Sequence, residues 1–405
     1  MDTDYLPAYD AAGRLGVTVA TLYAYVSRGH IDSRLGPDGR TREYSASDIQ
    51  KMIDRKRAGR GAAQGAAHSL AWGLPVMETR ISLIRPRGHY YRGKSALALA
   101  SSGATLEETA RLLWDCGQHD PFAANSPRRW PQAVTLLLRQ TEIPPLERTI
   151  SVLPLLALAA THAHSTDPQH RRQDAALLLR ESAALLCATQ PSADPIHQVM
   201  AASWRKHDTG LPELVRYALV LCADHELNAS SFATRVAAST GASLHAAACA
   251  GLVTLSGPHH GGAVARAHAF IQDLLREREP EERVRERLRR GETLPGFGHP
   301  LYNEGDPRAR VLLQALLAAR PRPAKLPAVV RLIETVQLQC GRRPNLDLAL
   351  ATIASAYELS ADVALAMFAA GRMAGWLAHA LEQQEDGSLI RPRASYVGRT
   401  PQRES

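Results

Sequence analysis

Lysine is nearly missing from this chain of 405 residues: of its 48 Lys and Arg residues, only five are lysine. Its positive charge is therefore arginine, a planar fork suited to carboxylates and phosphates. The abundance of alanine beside it also fits a genome-wide composition bias. Cysteine is scarce as well. Cys116, Cys187, Cys222, Cys249 and Cys340 are odd in number, far apart and never in a C-x-x-C pair. That excludes a disulfide framework and a cysteine-rich zinc site, and fits a reducing compartment. Long apolar runs are absent: the longest, Val152 to Ala160, is far too short to span a bilayer. The opening residues, Met1 to Tyr5, are acidic and have no apolar segment of the signal-peptide kind. The expected location is cytoplasmic, with no metal and no membrane contact.

Apolar residues make up 45% of the chain, enough for the cores of two or three domains, and the formal net charge is +8. Such a balance suits nucleic acid and acidic small molecules equally.

Residues 1–57 read as a unit of their own. A short helix over Asp10 to Leu15 is followed by a Gly16-Val17 turn. Thr18 caps a second helix to about Arg28, where Gly29 stops it. A turn-rich loop from Arg34 to Arg42 leads to Tyr44, and Ser47-Asp48 opens another helix to about Arg57. Helix, turn, helix, wing, helix is the helix-turn-helix layout. The wording G-V-T-V-A-T-L-Y-A-Y-V-S-R-G-H-I, with R-x-Y and S-x-S-D-I after it, resembles the winged modules of MerR-type regulators and excisionases. That implies DNA as a possible partner through residues 5–57. Charge argues the other way: nine Lys and Arg against eight Asp and Glu in residues 1–57 leave little of the basic footprint DNA binders carry. Arg28, Arg34, Arg40 and Arg42 could still share a face. Packing or oligomerisation is the competing use.

A Gly/Ala-rich linker, A-G-R-G-A-A-Q-G-A-A-H-S from 58, covers 58–75. Between 76 and 92 a small hairpin is expected around Pro86-Arg-Gly88. Beyond it Leu and Ala recur at three and four, as in 105–116, 148–163, 171–188, 309–320 and 362–384. The fold class is all-α.

Three places interrupt these helices with glycine, proline and a titratable residue. They are Ser256-Gly-Pro-His-His260-Gly-Gly-Ala263, Leu294-Pro-Gly-Phe-Gly-His299-Pro-Leu-Tyr302 with Gly305-Asp-Pro-Arg308, and Arg342-Arg-Pro-Asn345-Leu-Asp347. The two glycines after His260 should leave free amide N–H groups at a helix start, ready for an oxyanion. Singly, each place has an ordinary explanation: a surface histidine, a turn, or an N-cap aspartate. Asp224-His-Glu226 could be a solvated loop.

Their order changes the weighing. The runs D-H-E-L-N from 224, G-P-H-H-G-G-A, P-G-F-G-H-P-L-Y-x-x-G-D-P-R-A, P-N-L-D, F-A-A-G-R-M-A-G-W-L-A-H and R-P-R-A-S-Y-V-G closely resemble the citrate synthase family, as do Tyr91-Arg-Gly93 and Leu112-Leu-Trp114. The resemblance spans about 76–398. It implies a large helical domain in two parts (76–263 and 368–405), with a small domain (264–367) inserted and closing upon it. It also implies condensation of acetyl-CoA, or another short acyl-CoA, with oxaloacetate, with no cofactor beyond the acyl-CoA substrate. Asp347 matches the base, His260 the donor to the thioester carbonyl, and His299 the acid at the keto oxygen. His225, Arg308 and Arg372 match oxaloacetate ligands. Arg391 matches an arginine supplied by the neighbouring subunit, which implies a homodimer with shared sites.

Two departures stand out. Many relatives carry basic residues directly after the counterpart of His299 and four positions beyond it, where they help hold CoA phosphates; here they are Pro300 and Asn303. The module at 1–57 is likewise not part of the standard enzyme. An active synthase, a DNA-binding regulator that uses the domain as a metabolite sensor, and a bifunctional protein therefore stay open at this point.

Overall fold

The structure is a computed structural model. It describes residues 5–27, 30–36, 39, 41–50, 52–53, 77–85, 88–123, 127, 129–140, 142–160, 162–394 and 398. The 58–75 linker, Arg28 and Arg40 lie outside these. Two compact units form, one within 1–78 together with 392–405, the other Thr79–Arg391.

In the first unit, helix α1 (Ala8–Leu15) ends at Gly16, whose φ of 62° makes it a left-handed cap. The backbone N–H of Thr21 donates to Thr18 Oγ1 at 3.3 Å, at the start of α2 (Val19–Ser27). Strands β1 (Tyr5–Pro7), β2 (Ser33–Leu35) and β3 (Arg42–Ser45) make an antiparallel sheet in the order β1-β3-β2. Helical residues follow at 46–50, one residue earlier than the sequence suggested, because Ser45 Oγ takes the capping hydrogen bond from Asp48 N. Leu15, Leu22, Ile31, Tyr44 and Ile49 form a small core.

The second unit is mostly helical. The expected hairpin is β4 (Ser82–Arg85) with β5 (Gly88–Tyr91), and β6 (Lys94–Ser95) adds a third antiparallel strand. Two short helices come next, α3 (Ala96–Ser101) and α4 (Leu106–Leu113), the latter opened by a Thr105/Glu108 capping box. They are followed by α5 (Gln132–Leu138), α6 (Pro145–Leu156), α7 (Pro168–Leu186) and α8 (Ile196–Trp204). Then come α9 (Leu211–Cys222), α10 (Ala229–Ser239), α11 (Leu244–Leu255) and α12 (Gly262–Arg276). The last five are α13 (Pro280–Arg289), α14 (Pro307–Ala318), α15 (Leu326–Cys340), α16 (Leu346–Ala356) and α17 (Ala361–Asp386).

Helix α17 is the axis of the main core, packed by α7, α9, α10, α11 and α16. It is long and apolar enough to cross a membrane, but 89% of its apolar window is buried inside this unit, as befits a core helix. Gly371 and Gly375 make its packing possible. A Cβ at Gly375 would lie 2.2 Å from the carbonyl oxygen of Ala223, and one at Gly371 would lie 2.7 Å from that of Leu219. The two glycines therefore let α17 press directly on the end of α9 and the turn after it. A second, separate core gathers Phe270, Ile271, Val284, Phe297, Val329, Val336 and Leu348 from α12, α13, α15, α16 and the loop before His299.

Candidate active site

Two loops that are distant in sequence pair to build the site. The 294–299 loop lies along 343–345: Gly298 N donates to Arg343 O at 2.9 Å, Asn345 N to Gly296 O at 2.9 Å, and Asn345 Nδ2 to Gly298 O at 3.1 Å. Asn345 also caps α16 by accepting from Leu348 N. Asn345 is the cap, and Asp347 is left in the first turn with no hydrogen bond to the described residues. Burial pushes the Asp347 carboxyl up to about 6, against the pull of Arg308. A carboxylate tuned near neutrality is suited to act as a base.

Asp306 joins this loop pair to α14. It caps α14 through Arg308 N (3.0 Å), accepts Leu346 N at the start of α16 (3.1 Å), and holds Arg308 by a two-pronged pair with Nε (3.0 Å) and Nη2 (2.8 Å). Arg308 is 3% exposed, so its charge is balanced within the fold.

His299 accepts from Leu301 N through Nδ1 at 3.1 Å. Its neutral ring therefore carries the hydrogen on Nε2. Burial and Arg308 pull its pKa down to about 4. Tyr302 meets it at 4.8 Å between ring centres and bridges to His225, whose Nε2 is 3.0 Å from Tyr302 Oη. The His225 and His299 rings are 5.4 Å apart. Burial, then Arg308, holds His225 well below its ordinary value.

His225 stands on a turn in which Glu226 takes a left-handed backbone with φ of 57°. The turn is pinned by Asp224, which is wholly buried. Its Oδ2 accepts from Ser82 Oγ and Glu226 N, and its Oδ1 lies 3.2 Å from His379 Nε2. Asp224 is thus a structural anchor rather than part of a solvated loop.

Arg372, on α17, is 1% exposed. Its Nε donates to the Cys222 carbonyl at 2.8 Å, and its guanidinium lies 4.8 Å from the centre of the Phe368 ring. It forms no ion pair among the described residues. His260 packs edge-on to the same Phe368 ring. Burial and the Arg372 charge lower its pKa to about 4. His260 Nε2 is 2.9 Å from Ser230 Oγ, which donates to Asn228 Oδ1 (2.7 Å) and receives Trp376 Nε1–H (3.1 Å).

The glycines after His260 do not work as the sequence suggested. Gly261 N donates to Leu255 O, Gly262 N to Gly257 O, and Ala263 N to the His260 carbonyl. Those amides are satisfied by the tight turn itself and offer nothing to an oxyanion. Gly261 is needed for contact: a Cβ there would lie 2.3 Å from Leu255 O.

The structure thus gathers His225, His299, Arg308, Arg372 and Asp347, with His260 held in the Arg372 field. Arg391 is not among them. It is exposed on the segment after α17 and makes no hydrogen bond or ion pair with the described residues. Three participants had no assigned role in the sequence: Asp306, Tyr302 and His89. An aspartate before proline is a helix-start signal, so Asp306 was readable as a cap. His89 on β5 had no signal. It is fully buried, 5.2 Å from the His225 ring, and neither of its nitrogens has a hydrogen-bond partner among the described residues.

The family described as "Citrate synthase, C-terminal domain" matches residues 69–393. The chain belongs to the citrate synthase family. Among its relatives, the citrate synthase of Haloferax volcanii is 41% identical over 192 residues, 46% of this chain and 51% of that protein. Citrate synthase 2 of Bacillus subtilis is 35% identical over 189 residues, 46% of this chain and 51% of that protein. The chain thus spans about half the length of the curated relatives it matches. In fold, it is similar to the citrate synthase of Thermoplasma acidophilum solved as a ternary complex with carboxymethyl coenzyme A and oxaloacetate. The TM-score is 0.67 at 23% identity, covering 82% of this chain and 96% of that one. The citrate synthase fold is therefore shared along nearly the whole second unit.

Proposed function

We propose that this chain condenses acetyl-CoA, or another short acyl-CoA, with oxaloacetate to give citrate or a homologue and free CoA. The observation that carries this reading is Arg372, a buried guanidinium that makes no ion pair among the described residues and feels Asp224 only at longer range. A buried charge is tolerated when something pairs with it, and a dicarboxylate substrate supplies that partner. His225 and the remaining N–H groups of Arg308 complete the cradle.

The acyl-CoA is a substrate, and the chemistry needs no further cofactor. Asp347 takes a proton from the carbon next to the thioester. His260, neutral at pH 7, hydrogen-bonds the thioester oxygen as the enol forms. Turning the Ser230 hydrogen from Asn228 Oδ1 to His260 Nε2 would place the neutral ring's proton on Nδ1, the donor this oxygen requires. The enol carbon then bonds to the keto carbon of oxaloacetate while His299 Nε2 delivers a proton to the keto oxygen. Water finally cleaves the thioester and releases CoA.

The second core fits a small domain at 264–367 that closes over the cleft and excludes water. Three exposed arginines, Arg266, Arg342 and Arg343, lie near the His299 and Asp347 loops. They carry the positive charge for CoA phosphates that Pro300 and Asn303 do not. A homodimer is supported by Leu155 and Val253, each more than half exposed on the adjacent helices α6 and α11. Arg391 would then complete the partner's site.

Residues 5–57 form, in our reading, a winged helix-turn-helix-like accessory module. Arg34 is tied to Glu43 at 3.1 Å and lies over the Tyr5 ring, which favours packing over DNA contact. Purified protein should release CoA thiol from acetyl-CoA only when oxaloacetate is present. Silence with acetyl- and propionyl-CoA across a panel of 2-oxoacids would refute the enzyme.

A further inference from the structure

A second cavity, of about 280 Å³, lies away from these residues, among the start of α7 and the C-terminal ends of α10 and α17. Asp174 lines it. This aspartate is 7% exposed and receives no hydrogen bond or ion pair from the described residues. His245, at the start of α11, lines it too; it is 4% exposed and makes no hydrogen bond to the described residues through either nitrogen. Buried polar groups of this kind are normally partnered.

The neighbouring basic groups make no direct contact with the carboxylate: His162, which lines the cavity, and His170 act on it only through space. Arg171, one helical turn before Asp174, spends its Nε on the Ser165 carbonyl at 2.7 Å. The ends of α10 and α17 turn the negative ends of two helix dipoles toward the cavity, at Ser239 and Gly387. The positive starts of α7 and α11 are each capped by their own side chain, Asp167 and Ser243. The described residues contain no group of three ligands placed for a metal ion.

We propose that this cavity binds a small primary ammonium compound. Its charge pairs with Asp174, one N–H goes to the His245 ring, and its remaining N–H faces water. This goes beyond the condensation reaction and does not depend on it: the site shares no residue with the cleft.

The test is calorimetric titration of the full chain with ethylammonium and with 1,4-diaminobutane, using tetramethylammonium chloride at equal ionic strength as the control without N–H donors. Saturable binding of the primary amines alone is expected. Asp174→Asn should weaken it by about tenfold or more, the usual scale for a hydrogen bond to a charged group. The proposal is overturned by binding that tetramethylammonium reproduces, by no saturable binding of either amine, or by unchanged affinity in a folded Asp174→Asn protein. If that variant fails to fold, His245→Phe carries the test, and unchanged affinity there is equally fatal. Thiol release measured on the same samples keeps the two questions apart.

Discussion

Arg308 and Arg372 face the same site from different helices and are equally hidden from water, yet their surroundings are opposite. Arg308 is gripped by Asp306 at both prongs, whereas Arg372 has only the Cys222 carbonyl at its Nε. Burial raises the free energy of both charges; Arg308 is compensated by a direct ion pair, Arg372 only by the more distant Asp224. A buried ion that the fold balances is part of the scaffold, while one that the fold leaves unbalanced awaits a counter-charge from outside. The same contrast separates Asp306, held low by Arg308, from Asp347, raised by burial.

The comparison can be broken most directly at Asp347. Asp347→Asn should lower thiol release by about 10²- to 10⁴-fold, the usual loss for a general base. It should also raise the melting temperature, because it removes a carboxylate that the fold destabilises. A drop in melting temperature would mean that Asp347 is structural. The two arginines come next. Arg308→Leu strands Asp306 and should cost about 3–5 kcal/mol in urea unfolding. Arg372→Leu removes an unpaired charge, so it should leave stability unchanged or improved while raising KM for oxaloacetate. Equal destabilisation by both would erase the distinction.

A pH series sharpens it further. Asp347 titrates near 6 in the folded chain and near its ordinary 3.9 when unfolded. The folded state therefore binds the extra proton between those values. The stability cost of Asp347 is fully present above pH 6 and is relieved as pH falls toward 4. Activity runs the other way, falling about tenfold per pH unit below 6 as the base is protonated. The smallest effect is expected at His89. His89→Phe removes two unpartnered nitrogens and should change stability by no more than about 1–3 kcal/mol, in the favourable direction.

Much of this was legible beforehand because helix periodicity and Gly/Pro breaks are local signals. The helices now seen as α4, α7, α14 and α17 were each marked by their Leu/Ala spacing. The 148–163 pattern ran past the true end of α6, which stops at Leu156 and passes into a short 3-10 turn. The motif order named His225, His260, His299, Arg308, Arg372 and Asp347. What it could not show is pairing across the chain. The Gly298–Arg343 contact spans two loops, and whether Arg308 is spent on Asp306 is settled only in three dimensions. The satisfied amides after His260 are a similar case, because a glycine pair reads alike whether it serves a ligand or a tight turn.

Asp306 has a practical corollary. One carboxylate fixes the starts of both α14 and α16, and so sets the spacing between Arg308 and Asp347 like the jaw of a caliper. Enlarging the cleft to admit longer acyl chains by trimming its lining would leave that spacing untouched. Any redesign that shifts one helix start must rebuild the other, and Asp306 is the point through which both edits would have to pass.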